Sequence, residues 1–208
     1  MSTSPKRLLT PEEYLAIERD VPTKHEFYFG EMFAMGGAST KHNQINFNLV
    51  TELGPHLKNR SCVAFVNDMR VKIPMTGSYV YPDLVVTCEQ PRFEDKQFDT
   101  LLNPQVVIEV ISDSTEQFDR GRKFEMYMSI DSVREYLLVA QNDAHISHFQ
   151  RDDHGVWTLR MAHGLDATVE MPSVGCKLNL ADVYAKVEFP PIEEVDRAAG
   201  ILRADRPR

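Results

Sequence analysis

Two rhythms of apolar and polar positions run along the chain. Ile45, Leu49, Leu53 and Leu57 recur at four-residue intervals, which predicts an amphipathic helix capped by Ser39 or Thr40. Elsewhere, short apolar runs bounded by turn formers predict strands. Two of them, Tyr81-Pro82-Asp83-Leu84-Val85-Val86 and Val106-Val107-Ile108-Glu109-Val110-Ile111, are rich in β-branched residues and read as buried strands with both faces covered. Each carries a single acid.

The flanking pattern supplies the remaining elements. Thr10-Pro11-Glu12-Glu13 is a capping box with proline at the first helical position, and Leu9 is placed to staple onto Tyr14. His25 to Met35 predicts a tight hairpin around Gly30. Cys62–Val66 and Met69–Ile73 read as strands, and Glu89 to Asn103 as a polar surface loop. Ser114 to Gln117 offers a second capping box for a helix reaching about Ile130, on which Lys123, Tyr127 and Ile130 share one inward stripe. Glu135–Ala140 predicts another buried strand. His145–Phe149 and Val156–Arg160 predict a hairpin across Asp152-Asp153-His154-Gly155. Leu178 to Val187 reads as a last turn or short helix. Strands with a crossover helix between Glu109 and Tyr136 give an α/β (α+β) domain with a mixed central sheet flanked by helices. We expect one domain over residues 1–190 and a surface tail over 191–208.

Unpaired, an ionised carboxylate among valines is costly, so two in two such strands call for a common explanation. If the strands are neighbours, ~4.8 Å apart, the acids could share one divalent cation. Each could instead sit at a solvated strand end or beside an arginine. His42 lies in the first turn of the Ile45 helix, where positive charge is disfavoured, which suits a base or ligand. His145 and His148, at an odd spacing, point to opposite faces of a strand and are rejected as a ligand pair.

Composition narrows the picture. A formal charge of -8 argues against coating nucleic acid by bulk electrostatics, although a carboxylate metal site and local groups such as Arg120, Arg122 and Lys123 are compatible with a nuclease. No apolar run reaches the ~18 residues of a membrane span, and no apolar segment follows the basic N-terminus, so no membrane partner and a cytoplasmic address are expected. Cys62, Cys88 and Cys176 are odd in number and far apart, which supports neither a disulfide framework nor a zinc knuckle.

Pro82-Asp83, then Glu109, then an inward Lys123, resembles the PD-(D/E)XK nuclease superfamily, and more closely the restriction-endonuclease-like Uma family. The resemblance runs from about Leu8 to Phe189. It also rests on Gly30-Glu31 followed by Met35, on His42, on Glu109-Val110-Ile111-Ser112 with Ser114-Thr115 behind it, on Asp119, and on Arg134-Glu135-Tyr136. It implies a restriction-endonuclease-like fold and DNA as substrate. Asp83 and Glu109 would hold Mg²⁺ or Mn²⁺, with Lys123 acting on the phosphate or attacking water. His42 and Glu31, or less favourably Glu26, would complete the ligand set or accept a proton. The superfamily's lysine usually lies two residues after the second acid, where this chain has Ile111, and the resemblance suggests that Lys123 replaces it. A nuclease-derived binding module without turnover is the alternative, and a phosphoesterase acting on RNA or a small substrate a third reading. A homodimer is expected because two-fold dimers are the commonest oligomers.

Overall fold

In the computed structural model, residues 7–112 and 119–189 are described. The Ser114–Gln117 capping box and the tail over 191–208 lie outside them. Helix α1 (Pro11–Glu18) starts as the sequence dictates: the Glu13 N–H donates to the Thr10 hydroxyl at 3.2 Å, and the Thr10 N–H to the Glu13 carboxylate at 3.0 Å. Strands β1 (His25–Tyr28) and β2 (Glu31–Ala34) form the expected hairpin. Phe29 (φ 51°) and Gly30 (φ 86°) both adopt left-handed backbone, the primed turn that matches strand twist. A Cβ on Gly30 would lie 2.6 Å from Leu8 Cβ, so only glycine fits.

Helix α2 (Thr40–Lys58) follows, with Ser39 as its cap. Then come β3 (Val63–Val66), β4 (Arg70–Ile73), β5 (Ser78–Val80), β6 (Leu84–Thr87), β7 (Thr100–Leu101) and β8 (Val106–Ile111). The loop read over 89–103 therefore contains a short strand, parallel to β4. A π-helical turn, Asp119–Lys123, leads into α3 (Phe124–Met128). The chain closes with β9 (Glu135–Ala140), β10 (His145–Arg151), β11 (Trp157–His163), β12 (Thr168–Met171), β13 (Cys176–Asn179) and α4 (Leu180–Val183).

Among the described residues the strands form a six-stranded sheet, β11-β10-β9-β8-β6-β3, a five-stranded sheet, β2-β1-β5-β4-β7, and the β12–β13 hairpin. The larger sheet is mixed, because β8 and β9 run parallel while its other pairs are antiparallel. Strand β8 is covered on both faces, as its unbroken apolar run requires. Val106, Ile108 and Val110 pack with the α2 stripe of Ile45, Leu49, Leu53 and Leu57. Val107 and Ile111 pack instead with Val71, Val80, Tyr127 and Ile130 from the smaller sheet and the segment around α3.

Two further expectations need correction. The run Tyr81–Val86 is not one strand. Pro82 has no N–H for a ladder, and the chain changes sheets across Tyr81–Asp83, leaving β5 in one sheet and β6 in the other. Asp83 thus occupies the seam immediately before β6 rather than a strand interior. Cys62 and Cys88, 26 residues apart, form a disulfide. The antiparallel register Val63↔Thr87, extended by one residue, sets them opposite each other, a proximity that spacing along the chain does not reveal. Cys176 is free and buried.

Candidate active site

The sheet switch leaves Asp83 half-buried and gives it partners from both sides. Extending the register Leu84↔Ile108 by one pair places Asp83 across from Glu109. One Asp83 oxygen accepts the Val110 N–H at 2.7 Å, fixing the carboxylate to β8. From α2, His42 Nε2 approaches the same carboxylate at 3.1 Å, and the Asn46 amide donates to Asp83 Oδ1 at 3.3 Å. Asn46 Nδ2 also lies 3.4 Å from His42 Nδ1. Donation there leaves the His42 Nε2–H for Asp83, a tautomer assigned from this network. Ser39 sets up the helix end: its hydroxyl accepts the His42 N–H at 3.1 Å and donates to Gln141 at 2.6 Å.

Glu109 shares the β8 face of Val107 and Ile111 and is only 5% exposed. Its Oε1 accepts from the Tyr127 hydroxyl at 2.9 Å and from Lys123 Nζ at 3.2 Å. Lys123, as expected, faces inward with Tyr127 and Ile130. Its ammonium reaches Glu26 Oε1 at 3.1 Å and Asp119 Oδ1 at 3.4 Å as well. Three carboxylates from three segments therefore surround one cation. The wide turn carrying Asp119 and Lys123 is held by Tyr136, whose hydroxyl donates to the Asp119 carbonyl at 3.2 Å. Turns of this geometry often occur at functional sites.

Burial pushes the Glu109 carboxyl up to about 8, with the negative charges of Asp119, Asp83 and Glu26 adding to the rise and Lys123 opposing it. For Lys123, burial works towards neutrality, but attraction to Glu109, Glu26 and Asp119 outweighs it and holds the amine well above its ordinary value. The ammonium is thus a fixed positive charge. Glu109 is the carboxyl that retains a proton when nothing else neutralises the cluster.

Asp83, Glu109, Lys123, His42 and Glu26 all border one cleft of about 990 Å³. Glu31 does not line it. The register Glu26↔Phe33 and Tyr28↔Glu31 puts Glu31 on the same hairpin face as Glu26 but one pair nearer the turn, where it borders a neighbouring cavity of about 600 Å³. Glu26 is the acid this hairpin brings to Lys123, its other oxygen accepting from the Tyr28 hydroxyl at 2.6 Å. The signal lay in strand alternation, since Glu26 and Tyr28 share a face pointing away from Phe27.

The donor set suits a hard cation. Asp83 and Glu109 offer carboxylate oxygens, the ligands Mg²⁺ and Mn²⁺ prefer. The hydrogen bonds to Glu109 converge on Oε1, and among the described residues none donates to Oε2, which is consistent with a cation bond there.

The rejected histidine pair indeed separates. His148 is buried against Glu135 at 2.6 Å, and that acid also accepts the Ser173 N–H at 2.8 Å. His145 stacks instead on His163, a residue the sequence reading did not single out.

Comparisons with known proteins agree with this architecture. A crystal structure described as "a putative nuclease belonging to DUF820" from Anabaena variabilis superposes with a TM-score of 0.66, covering 85% of this chain and 98% of its own, at 17% identity. At that identity the likeness establishes the fold. Two uncharacterized proteins of Synechocystis sp. are closer in sequence. One, sll1609, is 36% identical over 170 residues, spanning 82% of this chain and 96% of its own length. The other, slr1290, is 34% identical over 187 residues, spanning 90% and 97%. Residues 11–181 match the model of the Uma2 family, described as "Putative restriction endonuclease". With its restriction-endonuclease-like fold and a match over most of its length, the chain belongs to the Uma2 family.

Proposed function

We propose that the protein is a Mg²⁺- or Mn²⁺-dependent endonuclease that hydrolyses DNA phosphodiester bonds in the cytoplasm. The observation that carries this reading is the arrival of Asp83, Glu109 and Lys123 at one cleft from a sheet switch, a buried strand and a π-helical turn. Asp83 and Glu109 would hold the cation. A divalent ion bound there supplies a Lewis acid for the phosphate and a water of lowered pKa.

The protein's own groups do the rest. Lys123 presents a fixed ammonium that stabilises charge developing on phosphate oxygens, and Glu26 aims it. His42 orients Asp83 through its Nε2 hydrogen bond. Glu109 would serve as a ligand only as the carboxylate, its proton passing to solvent. Tyr127 and Tyr136 hold Glu109 and the lysine-bearing turn in place.

Supercoiled plasmid incubated with Mg²⁺ or Mn²⁺ tests the reading. Wild-type protein should nick it and Asp83→Ala should not. Equal cutting by both, or none by wild type, rejects the proposal, the latter in favour of a binding module that has lost turnover. Parallel assays on RNA and small phosphodiesters define the substrate class. Cutting both strands is simplest with two clefts, so we expect a two-fold dimer, measurable by sedimentation.

A further inference from the structure

Outside the cleft, the start of the β10–β11 hairpin gathers another set of donors. The register His145↔His163 pairs two histidines directly across the hairpin, with rings 4.1 Å apart between centroids and 14° from parallel. Asp143, two residues before His145, completes the group. One ligand atom from each of Asp143, His145 and His163 lies within 4.8 Å of the others. Two imidazoles and a carboxylate can hold one ion about 2 Å from each once side-chain rotation draws their ligand atoms to within about 4 Å of one another.

The scaffold under this cluster is firmly fixed. The Tyr184 hydroxyl donates to the His145 carbonyl at 2.7 Å and accepts the His145 N–H at 3.2 Å, clamping both backbone groups of one residue. Burial of Tyr184 pushes its hydroxyl upward, so it stays protonated for that donation. Ser147 Oγ stands 3.2 Å from His145 Nε2 and also accepts from Arg120 at 3.0 Å. A polar partner on one ring nitrogen orients the imidazole, as such partners do around metal-binding histidines.

We propose that Asp143, His145 and His163 form a second metal site, selective for a borderline transition-metal dication of the Zn²⁺, Co²⁺ or Ni²⁺ type, with solvent completing the coordination shell. Imidazole nitrogens favour such ions over Mg²⁺, which the Asp83 and Glu109 carboxylates favour, so the two sites sort metals by ligand chemistry. The assignment does not depend on the nuclease reading. Arg120 lies in the same turn as Asp119 and Lys123, and Ser147 links it to His145.

The experiment is calorimetric titration of untagged, full-length protein with Zn²⁺ in saturating Mg²⁺, followed by diffraction at the zinc absorption edge. Wild type should take up one equivalent with an anomalous peak among the three side chains. His163→Ala and Asp143→Asn, both at exposed positions, should weaken binding at least about tenfold. His154→Ala, in the turn of the same hairpin, should bind as wild type does. Thermal melts confirm that each variant folds. Unchanged Zn²⁺ affinity in His163→Ala, no uptake by wild type, or uptake lost only in Asp83→Ala would each overturn the site.

Discussion

Lys123 Nζ stands 3.2 Å from Glu109 Oε1, although the lysine comes from a turn after β8 and not from the strand itself. The residue two places after Glu109 on that strand is Ile111, 3% exposed and packed into the core. The ammonium is thus delivered to the same carboxylate by a different segment. Removing it leaves the Glu26 and Asp119 carboxylates beside protonated Glu109 without a countercharge. Lys123→Met should lower nicking about 100-fold or more. It should also cost about 3 kcal/mol in urea unfolding at neutral pH, the penalty of breaking a buried ion pair. A variant with near wild-type rate and stability would show that the contact contributes little.

If position 111 is equivalent in function, the charge can be moved back. Ile111 and Glu109 point to the same side of β8. Ile111→Lys in the Lys123→Met background should raise nicking at least about tenfold over the single variant, at some cost in melting temperature from the disturbed core. Failure to recover any activity in a folded double variant would mean that the turn supplies more than a charge.

The expectations that held were those set by local chemistry. The Thr10–Glu13 capping box, the Phe29-Gly30 turn and the α2 stripe depend on neighbours along the chain, and each formed as its residues required. The inward placement of Lys123 was legible for the same reason. What escaped were relationships between segments. Asp83 lies at a sheet switch because the smaller sheet captures β5 while β6 pairs with β3 and β8. Cys62 and Cys88 meet only through the β3–β6 register. Glu26, not Glu31, reaches Lys123 because the hairpin docks through its β5 edge, leaving Glu31 one pair farther towards the turn. His163 required the hairpin register to be known over its full length.

The high pKa of Glu109 gives a signed pH dependence. Its value in the fold, about 8, lies above the ordinary 4.5. The protonated carboxyl is therefore preferred by the folded state, and its stabilising contribution is fully present below pH 4.5 and lost as pH rises through about 8. Metal-free protein should lose stability across that window relative to Glu109→Gln, as denaturant titrations at several pH values would record. Mg²⁺ affinity should run the other way, rising with pH up to about 8, because a proton must leave for the cation to bind. A pH-independent affinity would contradict this assignment.

His42 acts on the site through Asp83, 3.1 Å from its Nε2. His42→Ala should reduce turnover about 10- to 100-fold, in the range expected for loss of a group supporting a ligand. His42→Gln, which keeps a donor at similar reach, should recover at least part of that loss. Equal loss in both variants would show that the Nε2 hydrogen bond to Asp83 is not what His42 supplies.

Gly30 is tied to the site through the hairpin that carries Glu26. Gly30→Ala forces a side chain into left-handed backbone and against Leu8, and should destabilise the fold by at least about 1 kcal/mol. Thermal denaturation reads this directly, and an unchanged melting point would show that the turn relaxes without penalty.

The most direct measurement is anomalous diffraction from crystals soaked in Mn²⁺. The account predicts a peak in bonding contact with Asp83 and with Oε2 of Glu109, absent from Asp83→Ala crystals, whatever occupies Asp143, His145 and His163. A cleft without manganese at saturating concentration, with Lys123 still bridging Glu109, Glu26 and Asp119, would contradict it.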